Sequence, residues 1–191
     1  LDTHLNGLRL VTHACTLIAV VLWFGLVPAV SASEWMLALG GGPQLHTDKQ
    51  TNRAIALDAH LLSHRYSAVQ TWHLGFSAAH LSAHTPDAEN NALWALSIYP
   101  QLNLPLPWAK SHDAFFYVRT LAPTWISETR LGERKQGNHF VFQSQVGVGF
   151  RFGEQNRWSA NLGYRHYSNA GLDEPNEGMD ATLLLTLGRR L

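Results

Sequence analysis

His166 and Ser168 stand two residues apart in the stretch YRHYSNAGLDEPNEGMD (164–180), and a cluster of acids follows them. Serine, imidazole and carboxylate are the parts of a nucleophilic acyl-transfer site. The imidazole takes the hydroxyl proton as the oxygen attacks, and the carboxylate orients the imidazole. The same residue types also end strands and open turns, so direction decides. In an extended strand, residues i and i+2 share one face with Cα atoms about 6.5–7 Å apart, close enough for a serine Oγ and an imidazole nitrogen to meet. The elements around the pair set what that face looks onto.

Those elements read as strands. From Ser33 onward period-two alternation recurs, broken by turn chemistry, over eight segments: 34–42, 53–64, 67–80, 91–100, 113–127, 138–152, 157–169 and 179–191. The connections after the first, third, fifth and seventh segments are long and polar: GGPQLHTDKQTN, SAHTPDAENN, SETRLGERKQGN and NAGLDEPNEG. Those after the second and sixth are short, near HRYS and GEQN, and the fourth, PQLNLPLPWAKSH, reads as a longer proline-rich loop. Long loops at one end and mostly short turns at the other predict an all-β fold, an eight-stranded antiparallel up-and-down β-barrel.

Composition decides which face looks outward. Val146, Val148, Phe150 and Phe152 share a face opposite Gly147, Gly149 and Arg151. Trp158, Ala160, Leu162 and Tyr164 oppose Ser159, Asn161, Gly163 and Arg165, and Trp72, Leu74 and Phe76 oppose His73, Gly75 and Ser77. Large apolar residues against Gly, Asn and Arg is the pattern of a transmembrane barrel, with lipid outside and a polar interior. A soluble barrel would bury the large side chains and leave Arg151 and Arg165 outside. The last segment alternates Leu183, Leu185, Leu187 and Leu191 on one face, with Leu191 where outer-membrane barrels usually carry Phe.

The N-terminus fits export. Residues Ala14 to Val30 form 17 positions without a charge, Arg9 precedes them, and Val30 and Ala32 occupy the −3 and −1 positions of a cleavage site before Ser33. Residues 1–32 therefore read as a signal peptide and 33–191 as the outer-membrane barrel; 17 residues sits at the lower edge for a spanning helix. Cys15, the single cysteine, lies inside that segment, so the mature chain carries no disulfide framework. Lys plus Arg equals Asp plus Glu at 14 each, which gives no footing for a nucleic-acid partner.

His166 and Ser168 share parity with Trp158, Ala160, Leu162 and Tyr164. If the termini are periplasmic, the seventh strand ends at the cell surface, and the pair faces lipid at outer-leaflet depth. Unpaired polar groups facing lipid are costly, less so at interface depth, and an ordinary strand end would more naturally carry Trp, Tyr or Leu there.

The segment HYSNAGLDEPNEG closely resembles the active-site segment of the lipid A 3-O-deacylases, the PagL-type outer-membrane enzymes. The likeness is most specific over 164–180 and continues more loosely through TRLGERKQGNHFVFQSQVGVGFRF. It implies an eight-stranded barrel that removes the acyl chain ester-linked at position 3 of lipid A, using a Ser–His–acid triad on its outer surface. Carried over, Ser168 is the nucleophile and His166 the general base. Asn169 and the backbone near Gly171 are candidates to stabilise the oxyanion. The family's acid is a Glu fourteen residues after the His, where this chain has Asp180. Strand parity sets Asp180 opposite Leu183, Leu185 and Leu187 unless a bulge intervenes, and Glu177, with compatible parity, is the reserve.

Arg130, Arg134 and Lys135 on the third long loop could contact lipid A phosphates, since guanidinium forks suit phosphate, or simply be solvated. Trp35, Trp72, Trp94, Trp125 and Trp158 read as interfacial anchors. His80 and His84 find no third ligand, so no metal is expected, and a serine esterase needs no cofactor. Lipopolysaccharide and outer-membrane lipid are the expected partners. The oligomeric state, a homodimer included, stays open. The competing reading is a non-catalytic small barrel of structural or adhesive role, which leaves HxSNAG unexplained. A lipid A acyltransferase barrel would instead want an inward acyl-chain pocket.

Overall fold

The structure, a computed structural model, describes residues 34–47, 49–86, 90–106 and 113–191. The expected signal peptide lies outside the described residues. Among the described residues ten strands are formed: β1 (Glu34–Pro43), β2 (Thr51–Ser67), β3 (Gln70–His84), β4 (Ala92–Pro105), β5 (Asp113–Ile126), β6 (Arg130–Leu131), β7 (Arg134–Lys135), β8 (Phe140–Phe152), β9 (Trp158–Ser168) and β10 (Met179–Arg190). Eight close into one barrel in the order β1–β10–β9–β8–β5–β4–β3–β2, every neighbour antiparallel. The short β6–β7 pair is a separate hairpin within the third long connection.

Burial follows the period-two pattern. In β2, Asn52, Ala54, Ala56 and Asp58 are buried while Ile55 and Leu57 are exposed. Around the barrel the large apolar residues stand outside: Leu37, Leu57, Ile98, Val148, Leu162 and Leu185 are all exposed, the last at 61%. In water each such side chain would forgo about 1.5–3 kcal/mol of burial free energy. Against hydrocarbon it forgoes nothing, and the closed ladder leaves no backbone edge to satisfy. This is a transmembrane barrel turned apolar side out. Trp35, Trp72 and Trp158 mark the end with the short turns, and Trp94 and Trp125 the end with the long connections, two belts that fit interfacial anchoring.

The interior has two parts. Toward the short turns it is polar: Asp58 accepts from Arg119 Nη1 and Arg165 Nη2, each at 2.7 Å, and from Ser77 Oγ at 2.6 Å. Glu34 accepts from Ser159 Oγ at 2.6 Å and lies 3.4 Å from Arg151. Toward the long connections small apolar residues, Ala38, Ala56, Ala79, Ala95 and Leu184, cluster with the fully buried Leu131 of the β6–β7 hairpin, beside the buried amides of Gln50 and Asn52. The hairpin thus seats itself in the mouth of the barrel. Outside the bilayer, Glu133 at its tip accepts from Thr47 Oγ1 at 2.8 Å and Thr85 Oγ1 at 2.9 Å, which hold its carboxyl below the usual carboxylate range.

Several strand boundaries differ from the sequence reading. β4 continues through PQLNLP, expected as loop, to Pro105. Pro100 coincides with an interruption of the β4–β5 ladder between Ser97 and Gln101, the kind of irregularity at which a proline is tolerated in a sheet. β2 and β3 run longer than expected and meet at a turn over Ala68 and Val69.

Candidate active site on the outer wall

His166 and Ser168 lie on the outward face of β9, half-buried, between the inward Arg165, Tyr167 and Asn169. Across the ladder, Asp180 of β10 is the register partner of His166, and Ala181 that of Arg165. The next rung joins Leu184 to Gly163, so Thr182 and Leu183 together oppose the single residue Tyr164. This bulge reverses the parity of everything before it. Leu183, Leu185 and Leu187 face out below the bulge, and Asp180 shares the face of His166 above it. β1 makes room for the distortion. A Cβ on Gly40 would fall 1.9 Å from Leu183 O, so only glycine lets β1 close on that rung.

The Asp180 carboxylate is buried yet fully engaged. His166 Nδ1 lies 2.7 Å from Oδ1, and the Tyr164 hydroxyl donates to the same oxygen. Gln44 Nε2 and, at 3.3 Å, Leu45 N–H donate to Oδ2. An ionised carboxylate accepts only, so the imidazole carries its proton on Nδ1 and presents a lone pair at Nε2. That nitrogen is the one available to Ser168. A Cβ on Gly178 would stand 2.6 Å from His166 Cε1, so the bare glycine backbone backs the ring.

Beyond Ser168 the chain turns sharply. Leu172 N–H donates to Asn169 O at 3.1 Å, and the two residues between, Ala170 and Gly171, both have positive φ, 57° and 75°, the hallmark of a type I′ turn. Asn169 holds this loop together: its Nδ2 donates to Asp173 O and Pro175 O, and its Oδ1 accepts from Gly171 N–H at 2.9 Å. Its own N–H is taken by Gln136 Oε1 at 3.1 Å and Asn176 Oδ1 at 3.0 Å. The arrangement can activate a serine toward a carbonyl approaching from the hydrocarbon side.

Comparison with known proteins gives this geometry a relation. Residues 62–187 match the family model described as lipid A 3-O-deacylase (PagL). The chain belongs to this family. Among characterised deacylases, the lipid A deacylase PagL of Bordetella bronchiseptica is 37% identical over 72 residues, covering 38% of this chain and 39% of that protein. The lipid A deacylase PagL of Pseudomonas aeruginosa is 38% identical over 55 residues, covering 29% and 31%. The aligned stretches thus span well under half the length of either relative. The crystal structure of the outer membrane enzyme PagL superposes with a TM-score of 0.60 at 19% identity, over 83% of this chain and 99% of that one, which bears on the fold.

In this deacylase-family chain the expected site residues separate. His166 and Asp180 come together; Ser168 shares the outward face of His166, without a hydrogen bond between them among the described residues. Glu177 is drawn to β7 instead, its Oε2 accepting Lys135 N–H at 2.7 Å. Asn169 and Gly171, expected as oxyanion donors, have these N–H groups taken by protein acceptors, Gln136, Asn176, Asp173 and Pro175 for Asn169 and the Asn169 side chain for Gly171. Among the described residues the N–H left without a protein partner there is that of Ala170. Arg134 lies beside the site, its Nε donating to Gly178 O at 3.0 Å, whereas Arg130 fixes the hairpin through its carbonyl, accepting from Asn90 Nδ2 at 2.8 Å. Lys135 is exposed. Sequence reasoning missed Gln44 and took Tyr164 only as a lipid-facing aromatic. Nothing local could have linked Gln44 to a residue 136 positions away, but Tyr164, two before His166 on one face, was within reach.

Proposed function

We propose that this chain is an outer-membrane esterase that hydrolyses the acyl chain ester-linked at the 3-position of lipid A. The observation that carries the reading is the bond between His166 Nδ1 and Asp180 Oδ1, 2.7 Å long, on the lipid-facing wall beside Ser168. The family membership supports the substrate class.

Ser168 Oγ attacks the ester carbonyl while its proton moves to His166 Nε2. Asp180 stabilises the imidazolium that results without taking the proton. The carbonyl oxygen becomes an oxyanion, and the turn shaped by Asn169 and Gly171 offers it the Ala170 N–H. The tetrahedral centre collapses, the sugar–oxygen bond to the acyl carbon breaks, and the sugar oxygen takes the proton from Nε2. Water then attacks the acyl-serine, gives its proton to His166, and the fatty acid leaves as Ser168 is re-protonated. Substrate arrives laterally in the outer leaflet with its acyl chains already along the wall. Arg134, beside Gly178, and Lys135 are placed to meet its phosphates.

Mass spectrometry of lipid A from cells producing the wild type, Ser168→Ala or His166→Ala tests this. Loss of one 3-hydroxyacyl chain with the wild type alone is the expected result. Unchanged lipid A together with an inactive purified wild type in detergent would sink it and leave a non-catalytic barrel.

A further inference from the structure

Asp180 is held by more than its bond to His166. Gln44, in the connection leaving β1, is buried and grips it twice: Nε2 donates to the carboxylate Oδ2, and Oε1 accepts the Asp180 N–H at 3.0 Å. Gln44 is itself held, its Oε1 also accepting from Asn52 Nδ2 at 2.7 Å, and the same Nδ2 lies 2.8 Å from Asp180 O. Asn52 Oδ1 in turn accepts from Gln50 Nε2 at 2.7 Å, and Gln50 bonds the β6–β7 hairpin through Leu131 O at 3.2 Å and Glu133 N–H at 2.7 Å. A continuous run of buried amides therefore joins the plug in the barrel mouth to the acid on its wall. An aspartate has one methylene fewer than glutamate with which to reach the imidazole, so its placement depends on what holds it from behind.

We propose that Gln44 is a positioning residue that aims the Asp180 carboxylate at His166. The inference rests on the esterase reading above. Gln44 touches no reacting atom, so its removal leaves substrate binding alone and lowers turnover. Misplacing a catalytic group by about an ångström costs on the order of 10²-fold.

A double-mutant cycle separates this role from a structural one. Gln44→Asn withdraws the amide by one methylene, and Asp180→Glu extends the carboxylate by one. Bonds from residue 44 to the backbone of residue 180 are equally affected in both backgrounds and cancel from the comparison. In the wild-type background Gln44→Asn is expected to lower kcat about 10-fold or more with KM unchanged. In the Asp180→Glu background the same substitution is expected to cost less than about threefold. Purified variants are assayed on lipid A in detergent, each first shown folded by heat-modifiable migration on a cold gel. Equal losses in both backgrounds, a rise in KM alone, or full kcat for Gln44→Asn each overturns the assignment. An inactive folded wild type sinks the esterase reading and this inference with it, whereas an active wild type indifferent to Gln44 sinks this inference alone.

Discussion

Asp180 stands directly across the β9–β10 ladder from His166, on the outward face, although Leu183, Leu185 and Leu187 of the same strand by strict alternation would turn it inward. The reversal is the work of one extra residue. The contact between Asp180 and His166 depends on that bulge.

The two candidate acids make opposite predictions. Asp180 bonds the imidazole, and Glu177 bonds Lys135 N–H. Asp180→Asn keeps the shape but offers an amide where Nδ1–H needs an acceptor, and kcat should fall on the order of 10⁴-fold, as when a triad acid is neutralised. Glu177→Gln should change kcat less than about threefold, because its bond lies in a solvated loop. Steady-state rates on purified protein decide between them.

Deleting Thr182 removes the extra residue and returns β10 to strict alternation. Asp180 is then carried to the interior face, and activity should be lost while the barrel still closes, since one slipped residue at a strand end leaves the lower rungs intact. Heat-modifiable migration alongside the deacylase assay reports both halves of this expectation. A deletion that keeps full activity would contradict it.

Gly178 and Gly171 both have positive φ, 51° and 75°, so alanine at either incurs comparable backbone strain, about 1–2 kcal/mol. Their surroundings differ. A Cβ at 178 meets His166 Cε1 at 2.6 Å, while one at 171 meets nothing within 4 Å. Gly178→Ala should therefore displace the imidazole and lower kcat about 10–100-fold. Gly171→Ala should cost mainly stability. The ratio of kcat losses at matched folded protein is the measurement.

Asp58 neutralises two buried guanidiniums, those of Arg119 and Arg165. Asp58→Ala leaves both uncompensated in the barrel interior and should destabilise the fold by about 3–5 kcal/mol. The midpoint of urea unfolding from detergent, followed by tryptophan fluorescence, checks this. The site itself lies on the outer wall, so the residual folded protein should keep its kcat.

Alternation of large apolar and small polar residues determined, from the sequence alone, that the chain is an eight-stranded barrel with its apolar side outward, and that His166 and Ser168 share that outer face. Such patterning is legible because side chains alternate with period two in any strand, whatever the strand pairs with. The wall between β4 and β5 was less legible. Pro100 and Pro105 speak for a loop locally, and only the partner strand, with its ladder broken at Pro100, makes an extended chain acceptable there. Asp180 was expected as the acid with Glu177 in reserve, and its strand parity was illegible for the same kind of reason. A bulge is a relation between two strands, and nothing in MDATLLL marks which residue will go unpaired. The tertiary structure set the bulge at Thr182 and Leu183 by bringing the glycines of β1 against them. It alone placed Gln44 on Asp180, because that contact joins segments 136 residues apart and exists only once the barrel has closed.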